Sequence, residues 1–129
     1  MTQSLTIPGR FPVLNEMLAA ARARRGKGSA YSAMKKEMTE IVMAQCSIQD
    51  LRTMYGPVEV HITAFEINKR RDPDNISAGA FKFVLDGLVK SGIIETDSQK
   101  IVKKIVFDIG PPDKENPRVE VEIVGLNDE

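Results

Sequence analysis

The chain has 129 residues, 42% hydrophobic and 28% charged, which suits one buried core rather than two and excludes wholesale disorder. Eighteen basic residues balance eighteen acidic ones, so the total charge marks no partner. There is no uncharged apolar run long enough for a membrane span and no basic-then-apolar leader, so a cytoplasmic protein without membrane contact is expected.

The charge is nevertheless uneven. Arg10, Arg22, Arg24, Arg25 and Lys27 face Glu16 alone in the first 27 residues, whereas Glu120, Glu122, Asp128 and Glu129 make the tail acidic. Such a basic arm holds phosphates whatever the total charge.

Residues 3–7 read as a short strand, broken by Pro8-Gly9 and Pro12. Asn15 stands as a cap before EMLAAARARR, a helix expected to stop near Gly26-Lys27-Gly28; its arginines form either an arm against a partner or a solvated face. From Ser29 to about Arg52 runs the longest helical pattern, with Met34, Met38, Ile41, Val42, Cys46 and Ile48 at helical spacing and Ser29 or Ser32 as cap. Cys46 is the only cysteine, which excludes an intrachain disulfide and a thiolate zinc cluster; it reads as a small buried apolar residue.

After Gly56-Pro57, Val58, Val60, Ile62 and Ala64 alternate with Glu59, His61 and Thr63, the period of a half-buried strand. His61, the only histidine, is either a partly exposed strand residue or a metal ligand or proton shuttle. Residues 101–110 and 118–126 read as two more strands, expected to be antiparallel neighbours across the proline-rich spacer 111–117. The order of elements predicts an α+β single domain, 1–129, with helices packed on a mixed sheet, a basic arm at about 15–28 and a catalytic stretch at about 69–99.

That stretch opens with Lys69-Arg70-Arg71 and Asp72-Pro73-Asp74. The proline pushes Asp72 into an extended conformation, where residues two apart point the same way, so both carboxylates are expected on one side. Hard oxygen donors in such a pair suit Mg²⁺. Capping of the helix that starts at Ile76 by Asp74 or Asn75 explains one acid but not both. In that helix Ile76, Ala80, Phe83, Val84 and Leu88 form the buried side, Phe81 and Leu85 flank it, and Lys82, Asp86 and Lys90 form a polar row. Gly87 marks close packing, Gly92 a C-terminal cap, and Asp97 brings in a third acid. Two carboxylates 4 Å apart repel by about 4 kcal/mol at an effective dielectric of 20. A convergence of Asp72, Asp74 and Asp97 beside Lys82 would therefore call for a divalent cation, a protonated acid, or two metals sharing a phosphate.

Arg71-Asp72-Pro73-Asp74-Asn75, Lys82 four residues before Asp86-Gly87-Leu88, Lys90-Ser91-Gly92 and Asp97-Ser98-Gln99 together resemble the RusA-like Holliday junction resolvases of phages and prophages. The resemblance extends over nearly the whole chain. It implies a homodimer that cuts four-way junction DNA by paired symmetric nicks with Mg²⁺, Mn²⁺ being a possible substitute, in recombination and repair. It assigns metal binding and catalysis to Asp72, Asp74 and Asp97 and a catalytic role to Lys82. Lys69, Arg70, Arg71, Arg22, Arg24, Arg25 and Lys27 are expected to bind DNA. Two departures from the usual pattern are one more helical turn before Lys82 and Thr96 where an acid often stands. The alternative is a junction-binding or phage DNA-processing factor that does not cut.

Overall fold

The computed structural model describes residues 1–25 and 28–126, with the backbone alone at 24, 25 and 28. Lys27, one of the expected DNA-binding residues, lies outside the described residues. In chain order the elements are β1 (Thr2–Pro8), α1 (Leu14–Arg22), β2 (Arg24–Arg25), β3 (Gly28–Ser29), α2 (Ala30–Ile48), β4 (Val58–Phe65), α3 (Pro73–Lys90), β5 (Val102–Ile109) and β6 (Arg118–Gly125). A four-stranded sheet in the order β1-β6-β4-β5 carries the helices, and β2 and β3 form a separate small hairpin. This is the expected single α+β domain with a mixed sheet.

The alternation along β4 is realised residue by residue. Val58, Val60, Ile62 and Ala64 are buried beneath the helices, and Glu59, His61 and Thr63 point to the other face. Leu5 and Ile7 of β1 and Val119, Val121 and Ile123 of β6 join the same core, closed from the helical side by Val42, Cys46, Phe83, Val84 and Leu88. Cys46 is 3% exposed, and burial raises the pKa of its thiol, with a smaller opposing effect from a hydrogen bond with Ser91. His61 is the partly exposed strand histidine of the first alternative, its Nε2 3.0 Å from Glu59 Oε1.

The strands at 102–109 and 118–125 are not neighbours. β4 lies between them, parallel to β5 and antiparallel to β6. The reason is α3: it returns the chain along the sheet, so β5 enters in the direction of β4. The spacer 111–117 then crosses to the far side of β4, where Arg118 anchors it by pairing with Asp113 at 2.9 Å and stacking 4.0 Å above the Phe65 ring.

Helix ends differ from expectation for local reasons. α1 is capped at Val13, whose N–H donates to Glu16 Oε1 at 2.9 Å, and Asn15 lies inside the helix. It stops at Arg22 because Ala23 turns extended and leads into the hairpin. In α2 the Ser29 hydroxyl accepts from the Ser32 N–H at 3.1 Å. That helix ends at Ile48 instead of Arg52 because Asp50 adopts φ 61°. Ile41 and Ile48 are exposed and Thr39 takes a buried place instead, because at about 100° per residue Thr39 shares the helix face of Val42 and Cys46, while Ile41 and Ile48 point about 100–120° away from Val42.

α3 starts at Pro73 rather than Ile76. Proline suits the first helical position because its missing N–H is not needed there. The helix packs on α2 through Gly87, where a Cβ would stand 2.3 Å from Val42 Cγ1. It ends as expected at Gly92, φ 74°, where the N–H of Ile93 donates to Leu88 O at 2.9 Å and that of Gly92 to Val89 O at 3.0 Å.

Candidate active site

The approach to α3 is built around a buried acid. Glu66, directly after β4, is 4% exposed. Its Oε1 lies 2.9 Å from Arg71 Nε and 3.6 Å from Arg10 Nη1, and its Oε2 accepts from Arg71 Nη2 at 3.2 Å. Arg71 Nη2 also donates to the Phe11 carbonyl at 3.1 Å, and the Glu66 carbonyl accepts from Asp113 N–H at 2.7 Å. Segment 10–12 is gripped from the other side by α3, where a Cβ at Gly79 would stand 1.9 Å from the Pro12 carbonyl oxygen. Three distant parts of the chain thus meet at the residue before Asp72. Arg71 is consequently engaged inside the protein, whereas Lys69 and Arg70 are exposed.

Asp72 is the N-cap of α3 with φ −82° and ψ 145°, the extended conformation that its proline imposes. Its side chain makes no capping hydrogen bond. Asp74 lies within the first helical turn, so neither it nor Asn75 is the cap, and the two-residue strand alternation does not relate the acids. Both are exposed, and the positive end of the helix dipole stabilises negative charge there.

Asp97 stands elsewhere. The Ser98 carbonyl accepts from the N–H groups of Ile101 and Val102, and Val58 N–H donates to Ile101 O, which fixes this segment at the start of β4 and β5. Asp72 and Asp74 lie beyond the end of β4, and α3 spans about 27 Å between the two places at 1.5 Å per residue. One chain does not gather the three aspartates. Among the described residues no three His, Cys, Asp or Glu side chains are placed to hold a metal ion. The donor chemistry of Asp72 and Asp74 still fits Mg²⁺, which is commonly held by one or two carboxylates, waters and a substrate phosphate.

Lys82 is eight residues into the helix from Asp74, about 12 Å along the axis. Its Nζ lies 3.4 Å from Asp86 Oδ2, and Lys35 of α2 reaches the same oxygen at 3.9 Å. The extra helical turn therefore leaves Lys82 in a pair with Asp86, partly exposed, on the α2 side of α3.

A cleft of about 550 Å³ adjoins the start of α3, lined by Asn68, Lys69, Arg71, Pro73, Ile76 and the 109–112 turn. The open face of the sheet, by contrast, carries Glu59, Asp108, Glu120 and Glu122, which repel phosphates. Arg22 is exposed at the end of α1, and Arg24 and Arg25 form β2, so the basic arm is a helix end and a hairpin.

A family model described as Endodeoxyribonuclease RusA matches residues 12–124. The chain belongs to the RusA endodeoxyribonuclease family. No curated protein matches it. Membership makes this a nuclease fold of the Holliday-junction-resolving class, and no described helix is long and apolar enough to cross a membrane. Glu66 escaped the sequence reading, because an acid ending a strand looks like any surface charge; Arg71 five residues later was the available signal. Asp86 was legible only as part of a surface row, and its burial depends on the position of α2.

Proposed function

We propose that this RusA-family protein is a Mg²⁺-dependent, structure-specific endodeoxyribonuclease that resolves four-way DNA junctions by paired symmetric nicks. It would act as a cytoplasmic homodimer in recombination and repair, of prophage origin. The observation that carries the reading is the start of α3. There, Asp72 and Asp74 present exposed carboxylates at a helix N-terminus, beside a basic, partly apolar cleft held by the Glu66–Arg71 pair.

Asp72 and Asp74 would hold the metal. When bound, Mg²⁺, or Mn²⁺ in its place, supplies a Lewis acid for a phosphoryl oxygen and lowers the pKa of a bound water. Lys69 and Arg70 bind flanking phosphates and fix the register of the backbone without reading bases. The arm of Arg22, Arg24, Arg25 and Lys27 extends this grip, and Arg71 keeps Asp72 in place from behind. Lys82 offsets negative charge along α3, poised to leave Asp86 for a phosphate. Asp97, which the family resemblance assigns as a third carboxylate, stands at the far end of α3 in the same chain.

The test is cleavage of a four-way junction with Mg²⁺: the wild type nicks it, and Asp72→Asn loses at least about 100-fold in rate, of the order reported for removal of one transition-state-stabilising group. An Asp72→Asn protein nicking at wild-type rate would sink the assignment. Separation of Asp97 from the other two acids within one chain favours the rival reading, a junction binder that does not cut. That rival requires tight junction binding with no nicking in either Mg²⁺ or Mn²⁺.

A further inference from the structure

Two lysines share one buried carboxylate where α2 crosses α3. Lys82 Nζ lies 3.4 Å from Asp86 Oδ2, and Lys35 Nζ lies 3.9 Å from the same oxygen. That oxygen is buried and has no hydrogen-bond partner among the described residues, so its charge rests on the two ammonium groups. Both distances exceed the roughly 2.7–2.9 Å of a tight charge-assisted hydrogen bond, which leaves either lysine loosely held. The Asp86 side chain is 13% exposed, against 39% for Lys82 and 40% for Lys35: the acid is enclosed and the bases reach solvent. Packing brings the three together. Gly87, next to Asp86, meets Val42, and Lys35 lies on the Val42 face of α2, seven residues earlier.

Two positive charges against one negative leave the cluster with a surplus of one. A lone lysine could not leave Asp86 without stranding a buried carboxylate, which is what makes breaking a buried pair costly. With two lysines, one stays as counter-ion while the other turns outward and offers its three N–H donors to an anion. The place suits a DNA backbone. Asp74, Ala78, Lys82 and Asp86 follow one i, i+4 row of α3, and Lys82 stands about 12 Å along the axis from Asp74, the rise of roughly three to four nucleotides at about 3.4 Å each. Lys35 is in the second turn of α2, which begins where the β2–β3 hairpin ends. A strand lying along α3 from the acids thus meets this cluster on the side of the basic arm.

We propose that Lys35 and Lys82 form a single binding site for one backbone phosphate of the DNA, several nucleotides from the phosphate held at Asp72 and Asp74. Lys35 and Asp86 act there as positioning residues. Asp86 gathers the two ammonium groups, and Lys35, by covering Asp86, releases Lys82 to the phosphate. The choice of DNA as ligand rests on the nuclease reading given above; the sharing of one carboxylate rests on the geometry alone.

Binding of a labelled four-way junction by the full chain in EDTA, followed by fluorescence anisotropy across a range of salt concentrations, tests the proposal without any cut. Lys35→Met and Lys82→Met each lower the slope of log K against log salt by about 1. The variant carrying both changes also loses about 1, because the two lysines serve one phosphate. Lys35→Met combined with Asp86→Asn regains the wild-type slope, since Lys82 is no longer needed at the acid. Unchanged slopes in the single variants overturn the site, and a loss of about 2 in the double lysine variant overturns the sharing. Failure of Asp86→Asn to restore the slope overturns the release of Lys82. Both lysines are partly exposed, so the lysine series decides even where Asp86→Asn lowers stability. A wild type that binds no junction also overturns the site. A wild type that binds but cuts nothing in Mg²⁺ removes the nuclease reading instead, and the slopes still decide the phosphate site.

Discussion

At the scale of single residues, the buried carboxylate of Glu66 carries the most weight. Its removal leaves Arg71 and Arg10 without their anion, and both guanidinium groups are only partly exposed. Allowing for solvent screening of the arginines, Glu66→Ala costs about 2 kcal/mol in urea unfolding, and Glu66→Gln less. Cys46 gives a prediction of the opposite kind. Burial raises its thiol pKa, so the neutral form is favoured up to higher pH than for a free thiol and is lost only as pH climbs through the raised value. Iodoacetamide at mildly alkaline pH therefore leaves native Cys46 unmodified over a time that alkylates the urea-unfolded chain, as mass spectrometry would show. Equal rates would contradict its burial. Some of this scale is legible from sequence: Pro73 dictates the extended Asp72, and the alternation in 58–64 dictates which side chains face the core. The Glu66–Arg71 pair is not, because only the fold brings Phe11 and Asp113 to the same place.

At the scale of elements, α3 is anchored on both sides by absent side chains. Alanine normally favours a helix over glycine by about 1 kcal/mol, yet Gly87→Ala would drive a methyl group into Val42. Overpacking of this kind costs about 1–3 kcal/mol, so thermal denaturation should show a net loss despite the gain in propensity. Stabilisation by Gly87→Ala would contradict the close α2–α3 contact. The Ser29 cap of α2 is a more modest contributor, and Ser29→Ala costs about 1 kcal/mol in the same assay. Sequence signals located every helix and long strand but misjudged starts and stops, because Asn15 and Asp74 are as suitable for a first turn as for a cap. The pairing of β5 with β6 failed for a different reason. A polar, proline-rich spacer looks the same whether it closes a hairpin or crosses over a third strand, and only the return of the chain through α3 decides.

For the whole molecule, the sheet separates two electrostatic faces. Its open side carries the acids Glu59, Asp108, Glu120 and Glu122 against the cations Lys104 and Arg118, and the exposed basic residues Arg22, Lys69 and Arg70 lie outside its strands. Junction binding should therefore weaken steeply with salt, and Lys69→Ala with Arg70→Ala should lower the slope of log K against log salt by about 2. An unchanged slope would place the DNA elsewhere. The α+β architecture and the motif of the family are readable along the chain. The separation of Asp97 from Asp72 and Asp74 is not, since it follows from the length of α3 and from where β5 enters the sheet. The central claim, that the acids at the start of α3 cut DNA, is tested most directly by nicking of a labelled four-way junction in Mg²⁺. Cleavage by the wild type is expected, abolished by EDTA and lost in Asp72→Asn with junction binding retained; cleavage undiminished in Asp72→Asn, or binding with no cleavage in Mg²⁺ or Mn²⁺, would show that these acids do not cut DNA.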